Sequence, residues 1–380
     1  MNLTTGKREL AAIDGARGEA TEARIRRTSP LLADMLLDHA FGTVFASTAL
    51  SRREREMATI GMLGAIGGVE PQLRLHVEAA LRVGADRDEI VALLEQMSVY
   101  AGYPRAINML NTVREVFDEE RLPMAAGTKE WSLRDSTTRV FDSGENKPVL
   151  VLVHALGLDW RMWRDVIPHL TRAHRVIAYD LRGFGAAQTA APAQGLSDYA
   201  VDLAELIQSL GTGPVHLAGL SLGGSIGLEL ALKHPELLSS LTVIAATAWS
   251  FPAFAERAHA ADEQGLPAQI APSLTRWFRP SDLATNNWGV RYARDCVERA
   301  DLAGWRAGWN ALAGIGVGEH LGQICIPTHV IAGENDASTP PSLMQGLAEI
   351  PTTRFTTISG APHMLALTHA DELAKAISLD

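Results

Sequence analysis

A serine hydroxyl becomes a nucleophile only when a base takes its proton and a carboxylate holds that base in place. Three residues of this sequence stand in an order that can do this. Ser221 lies in Gly219-Leu220-Ser221-Leu222-Gly223, a G-x-S-x-G pattern. The apolar run Val215–Leu220 precedes it, and the apolar-periodic stretch Ser225–Lys233 follows, closed by His234-Pro235. Strand, tight turn and helix together lift a serine to the carboxyl edge of a parallel sheet. Asp336 follows the apolar run Thr328–Ala332, and His363 follows Arg354–Ile358. Each therefore stands just past a strand end, and all three are expected at one sheet edge. Ser221 is then the nucleophile, His363 the base and Asp336 the orienting acid. Glu334 is a rival carboxylate at the start of its turn, and His369 a rival base in or near the last helix.

Acyl chemistry also needs donors for the charge that develops on oxygen. The N–H of Leu222, next after the serine, is one candidate. The loop His154-Ala155-Leu156-Gly157 after Val149–Val153 supplies the other, through the N–H of Leu156.

The elements that would hold these groups read clearly. Thr138–Asp142, Val149–His154, Val176–Asp180, Leu241–Ala246, Thr328–Ala332 and Arg354–Ile358 have strand patterns, and Asp198–Leu210 and Asp371–Ile377 helical ones. Their alternation predicts a mostly parallel, doubly wound sheet. The interval Trp249–Cys325 interrupts it and is rich in Trp and Arg, which predicts a helical lid over the serine at about 249–325. Two readings stand for Trp277 and Arg279 there: contact with a carboxylated substrate, or lid packing and surface charge.

The first third reads as helix alone. Residues 1–28 look like a solvated arm or an exposed first helix, and Ser29-Pro30 opens a helix over Leu31–Phe41. Ser51…Glu54 and Asp86…Glu89 are capping boxes, and Pro71 starts a helix with Leu73, Val77, Ala80 and Leu81 on one face. Gly102-Tyr103-Pro104 breaks the chain before a last helix, Ala106–Phe117. No strand precedes the glycines at 61, 64, 67 and 68, so they predict close helix contact rather than a dinucleotide site. Glu119–Lys129 reads as a linker, which gives an all-α domain over 1–122 and an α/β domain over 130–380.

Across 380 residues, 47% are apolar and 21% charged, with a net charge of −10. That acidity argues against nucleic acid or an anionic membrane as partner, while leaving room for a small anionic substrate. Two cysteines suit a reducing compartment without a disulfide framework. No leader-like apolar segment or membrane span is evident, and the cytoplasm is expected.

Residues 130–380 resemble the α/β-hydrolase superfamily. HALGLDWRMW, YDLRGFG, AGLSLGGS, AGENDASTPP and APHM fall in its order and spacing. HALGLDWRMW and LTRWFRP bring the 3-oxoadipate enol-lactonases closest within it. Departures are Ala155 in the first loop, Ala186 and Ala187 after Gly185, and Thr368 and His369 after His363. Residues 30–118 resemble the carboxymuconolactone decarboxylase family through LSRRERE, LRLHVEAALRVGADRDEI and VYAGYPRAINML. A related branch uses a C-x-x-C pair where Val69 and Gln72 stand here, which rules out dithiol chemistry in this domain. By its own spacing His76 reads as a core histidine; the resemblance makes it the catalytic acid, with Glu56 a weaker candidate that also reads as a solvated helix charge. Arg74 and Arg105 are candidates for substrate carboxylates, and equally for surface roles.

The two resemblances imply consecutive reactions: decarboxylation of 4-carboxymuconolactone, then hydrolysis of the resulting enol-lactone to 3-oxoadipate. The lactone is its own electron sink, so no metal or organic cofactor is required. Homo-oligomers through the helical domain are implied as well. The alternative is a serine esterase, lactonase or carbon–carbon hydrolase whose helical domain only oligomerises.

Overall fold

A computed structural model describes residues 2–121, 128–133, 135–144 and 146–378. The chain divides into two compact units, Met1–Arg121 and Leu122–Asp380. The linker expected over Glu119–Lys129 is shorter at both ends, since helix runs to Arg121 and strand begins at Thr128. Its centre, 122–127, lies outside the described residues.

The first unit has helices and connecting turns but no strand among its described residues. It comprises α1 (Leu3–Thr28), α2 (Pro30–Met35), α3 (Arg52–Ile66), α4 (Glu70–Arg82), α5 (Arg87–Ala101) and α6 (Tyr103–Arg121). Leu36–Phe45 continues α2 as a π-helix, where the sequence predicts one regular helix. Both capping boxes form: Ser51 and Asp86 accept from the N–H of Glu54 and Glu89, whose side chains return the bond. Ile60, Leu73, Val77, Ile90, Met109 and Val113 make the core. A β-carbon on Gly64 would lie 2.3 Å from the Met109 sulfur, so that glycine does serve close helix contact.

Of the two readings for residues 1–28, the first helix forms as α1 and the solvated arm does not, but one face of that helix is buried. Leu10 and Ile13 are buried with Leu37, Phe41 and Ala79 in a second small core. Its Ala- and Arg-rich composition hides this face, and Gly15, at φ +59°, kinks the helix beside it.

The second unit is an eight-stranded sheet. Its strands are β1 (Thr128–Ser132), β2 (Thr137–Asp142), β3 (Val149–Val153), β4 (Arg175–Tyr179), β5 (Val215–Leu220), β6 (Leu238–Ile244), β7 (Thr328–Gly333) and β8 (Thr353–Ile358). The order is β1-β2-β4-β3-β5-β6-β7-β8. β1, β2 and β4 pair antiparallel, and the remaining pairs are parallel. β3 is buried at all five positions because helices cover both faces of a parallel sheet. β1 carries no apolar signal. Its Thr-Lys-Glu-Trp-Ser run lies at the sheet edge, where polar residues are tolerated.

Between β6 and β7 the expected lid is helical: Pro252–Gln264, Pro267–Trp277, Pro280–Thr285, Trp288–Arg299 and Leu302–Ala313. Trp277, Trp305 and Trp309 are buried in it. Among the described residues no helix is long and apolar enough to cross a membrane.

Candidate active site

β5 ends at Leu220 and the elbow helix begins at Leu222, leaving Ser221 alone in the turn at φ +55°, ψ −116°. A non-glycine residue there is strained, and the surroundings hold it. Its N–H donates to Ile244 O at 2.8 Å, tying the turn to the end of β6. The flanking glycines are a steric demand. A β-carbon on Gly219 would lie 2.2 Å from Gly223 O, and one on Gly223 would lie 2.3 Å from Val153 O.

His363 Nε2 lies 3.1 Å from Ser221 Oγ, and its Nδ1 lies 2.8 Å from Asp336 Oδ2. With Nδ1–H donating to the carboxylate, Nε2 is left to accept the serine proton. Asp336 is 4% exposed and its oxygens are fully used. Oδ1 accepts the N–H groups of Ser338 and Thr339 at 2.7 and 2.9 Å, and Oδ2 accepts Thr339 Oγ–H at 2.8 Å. Burial alone would raise its pKa. The charge and hydrogen bond of His363, with the Thr339 donors, hold it below the usual carboxylate range instead. The carboxylate thus stays charged and fixes the imidazole tautomer.

The N–H groups of Leu156 and Leu222 take no acceptor among the described residues. Leu156 lines a cavity of about 430 Å³ with Ser221, His363, Phe254, Arg257, Trp277 and Trp309. The loop carrying Leu156 is anchored by His154, which is fully buried. Leu181 N–H donates to its Nε2 at 2.8 Å, and its Nδ1–H donates to Ala155 O at 2.8 Å. That pattern requires neutral imidazole, and burial pushes the pKa down to about 4.

In the helical unit His76 Nδ1–H donates to Glu56 Oε2 at 2.8 Å. Glu56 is 0% exposed, and its other oxygen is buried without a partner. Asp14 of α1 adds a further buried carboxylate whose Oδ1 also has no partner. Burial raises its pKa to about 6, against the pull of the nearby His76 charge. Burial opposes the charge on His76, but the Glu56 bond and the charges of Glu56 and Asp14 prevail and raise its pKa. A cavity of about 280 Å³ in this unit is lined by Leu63, Val69, Leu73, Arg105 and Met109, among others; His76 and Glu56 are not in its wall.

Residues 148–370 match the alpha/beta hydrolase fold family over more than half of the chain. The chain belongs to that family. Residues 30–115 match the carboxymuconolactone decarboxylase family. Within the alpha/beta hydrolase part, the chain is 31% identical over 198 residues to 3-oxoadipate enol-lactonase 1 of Acinetobacter baylyi, covering 51% of this chain and 74% of that one. It is 28% identical over 247 residues to the pimeloyl-[acyl-carrier protein] methyl ester esterase of Aeromonas hydrophila, covering 60% and 94%. The solved enol-lactonase of Burkholderia xenovorans matches with a TM-score of 0.63 at 25% identity, covering 66% of this chain and 98% of that one.

The alpha/beta hydrolase unit brings Ser221, Asp336, His363, Leu156, Leu222 and Trp277 to one place, and leaves Arg279, Glu334 and His369 outside it. Arg279 does not face the cavity. Its guanidinium makes two bonds to Asp282, at 2.9 and 2.7 Å, and one to Gly360 O at 2.7 Å, so it ties the lid down. The i,i+3 spacing to Asp282 makes that pairing the local choice. Arg74 pairs with Glu78 at 3.2 Å along α4, and both side chains are largely buried there. Arg105 donates to the Ala65 and Ile66 carbonyls at the end of α3, capping that helix. Glu334 accepts from Ser359 and Gly360 N–H instead of a histidine, and His369 bonds to Thr368. Sequence reasoning missed Thr339, Arg257, Arg276 and Asp14. Thr339 lies three residues past Asp336, a spacing at which a side chain returns to its own turn. The other three carry no local signal.

Proposed function

We propose that the alpha/beta hydrolase unit cleaves a carboxylated enol-lactone, with Ser221 as nucleophile. The Ser221–His363–Asp336 hydrogen-bonded chain carries this reading, and the likeness to enol-lactonases supports the substrate class. Ser221 Oγ attacks the lactone carbonyl as His363 Nε2 takes its proton. Asp336 stabilises the imidazolium, and the N–H groups of Leu156 and Leu222 receive the oxyanion. The ring bond then breaks, and His363 returns the proton to the enolate. Water, activated by the same imidazole, releases the oxo acid.

The helical unit, on this reading, acts one step earlier. Carboxymuconolactone loses carbon dioxide because its carboxylate is vinylogous to the lactone carbonyl. His76, whose charged form the Glu56 carboxylate favours, then delivers a proton to the α-carbon. The product is the enol-lactone the other unit consumes, and one chain keeps the two catalysts equimolar. The decisive assay is carbon dioxide release from carboxymuconolactone by the full chain. It is expected to be lost in His76→Ala and kept in Ser221→Ala. Absence of release from wild type leaves a lactonase or esterase with a non-catalytic helical unit.

A self-association role has its own support. Tyr103, Ile107 and Leu110 form an exposed apolar stripe at helical spacing on α6, with Val99 and Tyr100 just before it. A second copy of this chain is the proposed occupant. Light scattering is expected to give an oligomer that Ile107→Glu weakens; a monomeric wild type rejects it. The thiols Cys296 and Cys325 are unpaired, which supports the cytoplasm as the compartment.

A further inference from the structure

Two lid arginines converge on one indole. Arg257, on Pro252–Gln264, has its guanidinium carbon 4.9 Å from the Trp309 ring centre; that of Arg276, at the end of Pro267–Trp277, is 5.9 Å away. Arg257 also lies 5.7 Å from the Phe254 ring. Phe254, Arg257 and Trp309 share the cavity wall with Ser221 and His363.

Neither arginine forms an ion pair among the described residues, and the nearest acidic influence on Arg257 is its chain neighbour Glu256, acting from farther off. Among the described residues no carboxylate lies within 4.0 Å of either guanidinium, whereas Arg279 pairs with Asp282 and Arg306 with Asp262. Arg276 has a single side-chain bond, to Ser273 Oγ at 3.2 Å, and its Nε is buried with no acceptor. Burial, and then the like charge of Arg257, push the Arg276 pKa down to about 10. Burial lowers that of Arg257 too. The aromatic faces offset part of this cost. Two neighbouring cations kept partly from water are otherwise an unfavourable arrangement that an incoming anion relieves. A guanidinium fork is also shaped for a carboxylate.

We propose that Arg257, supported by Arg276, is an anion subsite of the Ser221 cavity, and that it selects esters or lactones bearing a free carboxylate remote from the scissile carbonyl. It takes the place that sequence reasoning gave to Arg279. The inference rests on the reading of Ser221 as the nucleophile. Arg276 acts as a positioning residue: its charge favours an anion at Arg257, and its bulk limits where that fork can go.

The test compares mono-para-nitrophenyl glutarate with para-nitrophenyl valerate, acyl groups of equal length with and without a carboxylate. Wild type is expected to favour the glutarate ester. Arg257→Met is expected to cut the glutarate-to-valerate ratio of kcat/KM by about ten- to a hundredfold, mainly through KM, as loss of a charged hydrogen bond predicts. Arg257→Lys should restore part of the ratio, and Arg276→Met should lower it less. Competitive inhibition by glutarate should weaken in parallel. Should Arg257→Met fail to fold, Arg257→Gln and Arg257→Lys give the same readouts. A wild-type preference for valerate, or a ratio and glutarate inhibition unchanged by Arg257 substitution, overturns the proposal. Calorimetric titration of glutarate into Ser221→Ala separates the two claims. Binding there that Arg257→Met abolishes supports the subsite even if the enol-lactone is not turned over. Esterase activity surviving Ser221→Ala rejects the nucleophile instead.

Discussion

Gly223 and Val153 approach so closely that a β-carbon on the glycine would lie 2.3 Å from the valine carbonyl oxygen. This contact packs the elbow helix onto the end of β3, just where the loop bearing Leu156 leaves the sheet. Both proposed oxyanion donors therefore depend on one van der Waals contact. Gly223→Ala should destabilise the protein by about 1–3 kcal/mol through overpacking. Hydrolysis should fall further than stability does, because the Leu222 and Leu156 N–H groups move apart. Thermal melts and kcat on one preparation check this; unchanged kcat with a lowered melting temperature refutes the geometric part.

Asp336→Asn replaces an acceptor by a group that can donate to His363 Nδ1, which favours the wrong tautomer. Activity should drop by roughly 10⁴-fold, with the fold retained. Ser221→Ala should cost at least as much, and the double variant little more than either alone. Steady-state kinetics on the three proteins decides; additive losses would mean the residues do not act as one unit.

His154 makes a pH-dependent contribution to stability. Its native pKa is about 4 against an ordinary 6.5, so the unfolded chain takes up a proton that the folded chain refuses. Stability from this residue is full above pH 6.5 and declines as pH falls toward 4, by about 3 kcal/mol in all. His154→Asn removes this dependence. The difference in unfolding free energy between wild type and variant should therefore shrink between pH 7 and pH 4. A constant difference in denaturant titrations contradicts a neutral buried imidazole.

Glu56→Gln should bring the His76 pKa down, because the carboxylate bond and charge that offset burial are gone. In wild type the value stands above 6.5, so stability from the pair is present below that pH and lost as pH rises through the folded value. Imidazole titration by nuclear magnetic resonance reads the shift directly. An unmoved value would make Glu56 a bystander and weaken the acid role proposed for His76.

The legible features were the local ones. A G-x-S-x-G turn between an apolar strand and an apolar-periodic helix announces its own geometry because the pattern is local, even though Gly223 answers Val153 far back in the chain. The capping boxes at Ser51 and Asp86 are legible for the same reason, since their donors and acceptors lie three residues apart. β1 was not, because an edge strand needs no apolar pattern. Nor was the burial of Leu10 and Ile13 in α1, two residues in a charged stretch whose partners begin more than twenty positions away.

Arginine shows the limit most clearly. In the lid sequence Arg276 and Arg279 stand three residues apart and are alike in type. Chain order alone told of a Trp- and Arg-rich lid, of a serine elbow, and of an acid and a base following strands of the same sheet. Arg279 is neutralised locally, by Asp282 one turn on in the same segment, whereas the surroundings of Arg276 were decided by tertiary structure, which brings Trp309 and Arg257 to it from other helices. Charge pairing depends on distances between side chains, and only folding sets those between residues remote in sequence.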